Sequence, residues 1–198
     1  GCHVVPVDCP HDVTLGRLGR ALAIPGRRTV PQDNRLLVVI PMAGRGSRFS
    51  KVGYDDPKPL IQCHGQPLIK WVVDNLRIPG AEFVFLVQKS HMEAHRLGTW
   101  LPALPPWSYG SLHQVIPLDG ITEGAACTVL AASPLWAGAD RPLLIANSDQ
   151  WLDWDPQAFV ATARDENLDG LISTFDCPDR DPKWSYVERD SSGKVIQV

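Results

Sequence analysis

An unbroken apolar run at 36–40, Leu-Leu-Val-Val-Ile, ends against Pro41 and opens into Met42-Ala43-Gly44-Arg45-Gly46-Ser47-Arg48-Phe49. Apolar residues in sequence, without polar alternation, read as a strand buried on both faces, and a proline with two glycines stops it in a loop. This restricts the fold, because a strand buried on both sides needs cover above and below. The loop also constrains chemistry. Gly44 and Gly46 lack a Cβ, so their backbone N–H groups can approach an anion closely. Arg45, Arg48 and Lys58 add positive charge, and Pro57 and Pro59 stiffen the backbone on either side of Lys58. The combination suits a polyphosphate, although the loop read alone is equally a plain turn. Its spacing fits neither G-x-G-x-x-G nor G-x-x-x-x-G-K-[ST].

Strand-like and helix-like segments alternate from residue 36 onward. Pro67 is placed for the first turn of a helix in which Leu68, Trp71, Val72 and Leu76 recur at helical spacing. A second strand is predicted over 82–87. Ser90 and Glu93 predict a capping box opening a helix that runs to about Trp100. Strands follow over 112–116 and 142–146, with a helix over 125–132 between them. Pro156 opens a further helix to about Arg164, 170–175 is strand-like, and 185–189 pairs with 194–198 across Asp190-Ser191-Ser192-Gly193. The alternation predicts an α/β fold, a three-layer, doubly wound, mostly parallel sheet of the Rossmann-like kind. Ligands in such sheets bind beyond the carboxyl ends of the strands, which points to the loop after Ile40, to the Gln88-Lys89 corner and to 147–150. His64, before Gly65, reads as a turn residue.

The net charge of −3 gives no general attraction to nucleic acid or an anionic membrane, so any anion site is local. No apolar run is long enough to cross a bilayer, and no signal peptide is visible. Five scattered cysteines, an odd number, do not form a disulfide framework and suit a reducing, cytoplasmic compartment. Residues 1–35, punctuated by Pro6, Pro10, Pro25, Gly26 and Pro31, read as an appendage and linker with a short helix over 12–24, and 36–198 as the main domain. Cys2, His3, Cys9 and His11 cluster without a standard zinc spacing.

The specific wording of the loops resembles a known family. Ala43-Gly44-Arg45-Gly46-Ser47-Arg48-Phe49 with Pro57-Lys58-Pro59-Leu60 resembles the G-x-G-x-R … P-K-P-L signature of sugar-1-phosphate nucleotidyltransferases, closest to a capsule-biosynthesis branch. Gly65-Gln66-Pro67-Leu68-Ile69 is similar to the motif that opens the family's next helix. Glu123-Gly124-Ala125-Ala126 is similar to its base-contacting glycine loop, and Asn147-Ser148-Asp149 to its strand-end metal-binding aspartate. The resemblance implies transfer of a nucleotidyl group from a nucleoside triphosphate to a sugar-1-phosphate or similar phosphorylated metabolite, with release of pyrophosphate, for polysaccharide biosynthesis. It implies Ala43, Gly44, Arg45, Gly46, Ser47, Gln88, Glu123, Gly124 and Ala125 around the nucleotide, Arg48 and Lys58 as catalytic cations, Mg²⁺ on Asp149, and Lys183 and Tyr186 on the acceptor side. The partners implied are CTP, UTP or dTTP and a small phosphorylated acceptor, and a homo-oligomer is compatible with it. The family's pattern also has an acceptor-side lysine and a second metal-binding aspartate beyond the position of Val198. The chain is therefore expected to be C-terminally incomplete, to bind nucleotide weakly and to turn over poorly.

Each of these residues has a plainer reading. Asp149 is equally a helix cap or a solvated carboxylate, Glu123 an early-turn acid, Gly124 a tight helix entry, Gln88 without a ligand, and Lys183 a solvated lysine. Two other function classes remain open on the sequence. One is a non-catalytic module that binds a nucleotide or sugar phosphate. The other is a metal-dependent glycosyltransferase built on the literal D-x-D of Asp153-Trp154-Asp155.

Overall fold

The apolar run is a central strand. A computed structural model describes residues 35–44, 53, 56–104, 113–137, 141–182, 184–191 and 193–197, together with the backbone of Cys2–Val7 and of Leu112. Helix 12–24, the Cys2-His3-Cys9-His11 side chains, and the loop residues Arg45, Gly46, Ser47 and Arg48 lie outside the described residues. The described residues divide into two compact units, one within Thr29–Trp151 and the other drawn from Gly1–Arg28 and Leu152–Val198.

In chain order the strands are β1 (Cys2–Val7), β2 (Leu37–Pro41), β3 (Gln62–Cys63), β4 (Gln66–Pro67), β5 (Glu82–Gln88), β6 (Leu112–Leu118), β7 (Leu143–Ile145), β8 (Gly170–Phe175), β9 (Glu188–Arg189) and β10 (Val195–Gln197). The helices are α1 (Leu68–Asn75), α2 (Lys89–Ala94), α3 (Leu97–Trp100), α4 (Ala125–Leu130) and α5 (Pro156–Asp165).

In the first unit, four parallel strands run in the order β6-β5-β2-β7. The chain builds outward from β2 to β5 and β6, then returns to place β7 on the other side of β2. The strand order thus reverses between β2 and β7, and the loops that leave their carboxyl ends flank a topological switch point. Leu37, Val39, Val84 and Leu86 line one face of the sheet and pack with Val129 and Ala132, from α4 and the turn after it. The alternate residues Val38, Ile40, Phe83, Phe85 and Val87 point to the other face and are also buried. Both faces are covered, as the unalternated sequence demands.

Polar groups mark the amino edge. Glu82 opens an otherwise apolar strand and is buried. Its carboxylate takes the guanidinium Nη2 of Arg141 at 2.5 Å and the side-chain amide of Gln114 on β6. Arg141, two residues before β7, also donates from Nε to the carbonyl of Arg35, two residues before β2, at 2.8 Å. One carboxylate thus ties together the starts of all four strands. A buried pair of this kind is held by its extra hydrogen bonds, and loss of one partner strands the other charge.

Between β2 and β5 lies the hairpin β3–β4, whose two-residue turn puts both His64 (φ 49°) and Gly65 (φ 76°) in the left-handed region. This is the arrangement a type I′ turn requires, so His64 is a turn residue. The Cys63 carbonyl accepts a hydrogen bond from Trp71 Nε1 of α1 at 2.9 Å, which fastens the hairpin to the helix. The single helix predicted from Ser90 to Trp100 is instead two helices. α2 ends at His95, and Arg96 adopts a left-handed conformation (φ 50°) before α3. Nor does Ser90 cap: α2 begins at Lys89 directly after β5, so Ser90 lies inside the helix and Gln88 holds the cap position with no side-chain cap bond.

In the second unit, β1 pairs antiparallel with β8, from Cys2 opposite Phe175 to Val7 opposite Gly170. The prolines of 1–35 masked this strand, since proline is tolerated where a strand has a neighbour on one side only. β9 and β10 form the hairpin expected from the sequence. Asp190 closes it by accepting Lys194 N–H at its carboxylate (3.0 Å) and Gly193 N–H at its carbonyl (3.0 Å).

Glu82→Gln removes the charge while keeping the shape. It is expected to lower unfolding stability by about 3 kcal/mol, read by urea titration, because Arg141 is left buried without its carboxylate. Replacing Arg141 by Met in the same chain is expected to recover part of that loss.

Candidate active site

Three loops leave the carboxyl edge of the sheet in the first unit, and each carries residues singled out in the sequence. After β2 come Ala43 and Gly44. Ala43 is buried and Gly44 is exposed. Their carbonyls accept two hydrogen bonds from the side-chain amide of Gln88, at 2.9 and 3.3 Å. Gln88 is itself buried at the end of β5. Its Nε2 is therefore turned toward the glycine loop, which it anchors by the backbone. The sequence placed Gln88 at the right corner but gave no sign of this partner.

Lys58 opens a short 3₁₀ turn, Lys58–Leu60, with Pro57 before it and buried Pro59 and Leu60 after it. The neighbours are fixed by burial and only the lysine side chain projects. Its ammonium meets the carboxylate of Asp149, which follows the strand end of β7. This contact joins two residues that lie far apart in sequence, across the β2–β7 switch point. The Lys58 side chain is 36% exposed and that of Asp149 24%, so solvent reaches both. Beside them, Asn147 donates from Nδ2 to the side-chain carbonyl of Gln150 at 2.7 Å, closing the corner. His95 approaches Asp56, two residues before Lys58, with Nδ1 3.8 Å from Oδ1. Its neighbour His91 has a lowered pKa, from desolvation and from the charge of His95.

Glu123 and Gly124 lie between β6 and α4, and Ala125 opens α4; all three are exposed. The Gly124 carbonyl accepts the Thr128 N–H at 3.0 Å, and the hydroxyls of Thr122 and Thr128 lie 3.1 and 3.2 Å from it and 2.5 Å from each other. Thr128 is buried, whereas the bond from Thr122 is exposed. Gly124 itself is extended, with φ −178°, a conformation open to any residue. A Cβ added at Gly44 or at Gly124 meets no described atom within 4 Å. Among the described residues, therefore, nothing in the local fold requires glycine at either position.

The remaining candidates belong to the second unit. Lys183 lies outside the described residues. The Tyr186 hydroxyl donates to the carbonyl of Asp181 at 2.8 Å and lies 3.5 Å from Cys177 Sγ. Its pKa is pushed up to about 12 by desolvation and by the neighbouring sulfur. The same contact lowers the Cys177 thiol, chiefly through the hydrogen bond from Tyr186. The D-x-D stretch is a helix start. Asp155 caps α5 by accepting the N–H groups of Gln157 (2.9 Å) and Ala158 (3.1 Å), and Pro156 holds the first helical position. Trp154 packs against Phe159 with ring centroids 5.1 Å apart, a hydrophobic staple across the cap. Trp154 and Asp155 of the D-x-D stretch thus serve the start of α5, and Asp155 is engaged by backbone donors.

Among the described residues, no group of three or more His, Cys, Asp or Glu is placed to hold a metal ion. Asp149 offers a single carboxylate. That donor set does not cage a transition metal, but it fits Mg²⁺, which is commonly bound by one or two carboxylates, waters and the phosphates of a substrate. The described cysteines Cys63, Cys127 and Cys177 are free thiols, and no described helix is long and apolar enough to cross a membrane.

Two outcomes follow from these contacts. Gln88→Leu keeps the bulk but removes both donors; unfolding stability is expected to fall by about 1–2 kcal/mol, with faster amide exchange at Ala43 and Gly44. Tyr186→Phe removes the bond that favours the Cys177 thiolate. The thiol pKa then rises, the thiolate fraction near neutral pH falls, and iodoacetamide labelling of Cys177, followed by mass spectrometry, is expected to slow.

A search of curated proteins by sequence finds no match. Among solved structures, the chain is similar to a nucleoside-diphosphate-sugar pyrophosphorylase from Vibrio cholerae RC9, at 24% identity and a TM-score of 0.54, over 81% of this chain and 65% of that one. It is also similar to the inositol-1-phosphate CTP transferase from T. maritima (18% identity, TM-score 0.49, 66% of this chain and 49% of that one) and to a UTP-bound UGPase from Acinetobacter baumannii (15% identity, TM-score 0.48, 67% and 54%). The chain spans about two thirds or less of the length of these proteins. The first of them shares the mostly parallel α/β fold. The family model described as nucleotidyl transferase matches residues 37–198, from the first residue of β2 onward. The chain belongs to the nucleotidyl transferase family.

Proposed function

We propose that this chain carries the nucleotide-binding part of a nucleotidyltransferase that moves a nucleoside monophosphate from a nucleoside triphosphate to a sugar-1-phosphate or similar phosphorylated metabolite. The observation that carries the reading is the meeting of Lys58 and Asp149 across the switch point, next to the glycine loop that Gln88 anchors. A lysine and a carboxylate at that edge supply the two things a triphosphate needs: a cation for its oxygens and a ligand for its divalent metal. Family membership supports the same reaction.

In the proposed reaction an acceptor phosphate oxygen attacks the α-phosphorus, the bond from that phosphorus to the bridging oxygen of the β-phosphate breaks, and pyrophosphate leaves with its electron pair. The acceptor phosphate is already ionised near neutral pH, so positioning and charge neutralisation carry the catalysis. Lys58 sits beside the α-phosphate as a point charge, and Arg48 takes the leaving phosphates with its planar fork. Gly44, with Ala43, Arg45, Gly46 and Ser47, lines the phosphates with backbone donors. Glu123, Gly124 and Ala125 face the base, and Lys183 and Tyr186 serve the acceptor. Asp149 would hold Mg²⁺ together with phosphate oxygens, and the bound ion would supply charge stabilisation in the transition state. CTP, UTP or dTTP is the proposed donor, and polysaccharide biosynthesis in the cytoplasm the proposed setting.

The test is a thermal-shift screen of four nucleoside triphosphates with and without Mg²⁺, followed by a pyrophosphate-release assay with sugar-1-phosphates. At least one pyrimidine triphosphate is expected to raise Tm, with the Mg²⁺-dependent part lost in Asp149→Asn and the whole shift reduced in Arg48→Ala. A chain that binds no triphosphate sinks the reading, and binding without turnover for any acceptor favours a sensing module. Gly124→Ser separates fold from site. Serine is a favoured helix cap, so Tm is expected to hold or rise, while triphosphate affinity falls tenfold or more because a side chain enters the space kept open there.

A further inference from the structure

The Lys58–Asp149 contact is more than a juxtaposition of two candidate residues. It pairs, within the protein, the cation proposed for the α-phosphate with the carboxylate proposed for the divalent metal. A divalent cation approaching Asp149 finds its carboxylate already held by an ammonium. Pro57 before it and the buried Pro59 and Leu60 after it hold its backbone, so the root of the lysine side chain stays beside Asp149 even when the ammonium moves. A cation that displaced it would leave a positive charge close by, and like charges at such range repel. No further His, Cys, Asp or Glu among the described residues completes a cation cage that would offset this repulsion. A polyphosphate removes the obstacle from both sides: its oxygens replace Asp149 as the partner of Lys58, and the same phosphate chain adds oxygen ligands for the cation. Both side chains are partly exposed, so the pair can open without unfolding anything around it.

We propose that the Lys58–Asp149 ion pair is a charge latch that keeps divalent cations off the site until a nucleoside polyphosphate takes up Lys58. The cation and the nucleotide then bind with positive coupling, and the coupling is reciprocal: whatever factor the nucleotide adds to cation affinity, the cation adds to nucleotide affinity. This deepens the nucleotidyl-transfer reading and rests on it for the identity of the anion, but the latch itself is a property of the two side chains.

The experiment measures Mn²⁺ binding by the electron paramagnetic resonance signal of the free ion, first with no nucleotide. Lys58→Met is expected to bind Mn²⁺ at least tenfold tighter than the wild type. Lys58→Arg keeps the charge and is expected to bind it as weakly as the wild type. Adding Asp149→Asn to Lys58→Met is expected to abolish the gain. Lys58→Gln serves in the same comparison if Lys58→Met does not fold, as judged by its thermal transition. In a second arm, the non-hydrolysable α,β-methylene analogue of the triphosphate with the largest thermal shift is expected to raise wild-type Mn²⁺ affinity tenfold or more, and Lys58→Met affinity by a smaller factor. Folded Lys58→Met that binds Mn²⁺ no better than the wild type overturns the latch. A wild type that binds no triphosphate defeats the nucleotidyl-transfer reading instead, and the nucleotide-free comparison still decides whether the pair excludes cations.

Discussion

The Glu82 carboxylate solves a problem that the apolar sequence of the sheet creates. A strand with polar and apolar residues in alternation has its register fixed by burial, since a slip of one residue turns the wrong face to the core. β2 and β5 are apolar on both faces, so burial penalises such a slip less sharply. Glu82 restores the discrimination. Its partners Gln114 and Arg141, with the Arg35 carbonyl held by Arg141, meet it only when β5, β6, β7 and β2 start level with one another. The cost of leaving any of these groups buried without a partner acts as the register signal. Once the starts of the parallel strands are level, their carboxyl ends all lie at one edge, from which the loops after β2, β6 and β7 and the start of α2 leave.

Two of the ion pairs in the first unit, Glu82–Arg141 and Lys58–Asp149, sit at opposite ends of its strands and have opposite characters. Glu82 and Arg141 have side-chain exposures of 7% and 8%, with additional hydrogen bonds to both partners. A pair so enclosed does not exchange with solvent or ligand and serves the fold. Lys58 and Asp149 are about a third and a quarter exposed, a setting in which an ion pair adds little to stability. The pair therefore makes little sense as a staple. It makes more sense as two charges held ready for exchange, each on a backbone fixed by other means: Lys58 by the buried residues of its 3₁₀ turn, Asp149 by the end of β7.

Much of this was legible in the chain. Unalternated apolar runs marked β2 and β5, and the positions of Pro67 and Pro156 marked the starts of α1 and α5, because these signals are local. The resemblance of the loops located the same carboxyl edge that the strand order defines. What was hidden depended on partners distant in sequence. Ser90 and Glu93 spell a capping box, yet the helix starts earlier because β5 runs straight into it and Gln88 is drawn to the glycine loop instead. The hydrogen bonds of Gln88, like the clamp of Glu82, join residues some tens of positions apart, and no periodicity reports them. The one available hint was a polar residue at each end of a strand otherwise made of Phe, Val and Leu. Asp153-Trp154-Asp155 shows the converse: a short motif suggested metal chemistry, while the physics of helix starts accounts for Asp155, Trp154 and Pro156 together.

Glu82, Gln88 and Thr128 are the buried polar or charged side chains among the described residues, and of the three only Gln88 is among the residues the resemblance places at the nucleotide. Glu82 levels the strands. The other two grip backbone carbonyls at the candidate site, Gln88 those of Ala43 and Gly44, and Thr128 that of Gly124. In a trans peptide the carbonyl and the following N–H point in opposite directions. Holding the Ala43 carbonyl against Gln88 therefore turns the Gly44 N–H away from the protein interior, and holding the Gly124 carbonyl against Thr128 does the same for the Ala125 N–H. The buried polar residues thus orient backbone donors outward at two loops where glycine leaves open space. Donors fixed in this way need no reorganisation when an anion or a base edge arrives, which is what distinguishes a prepared site from a pair of flexible turns.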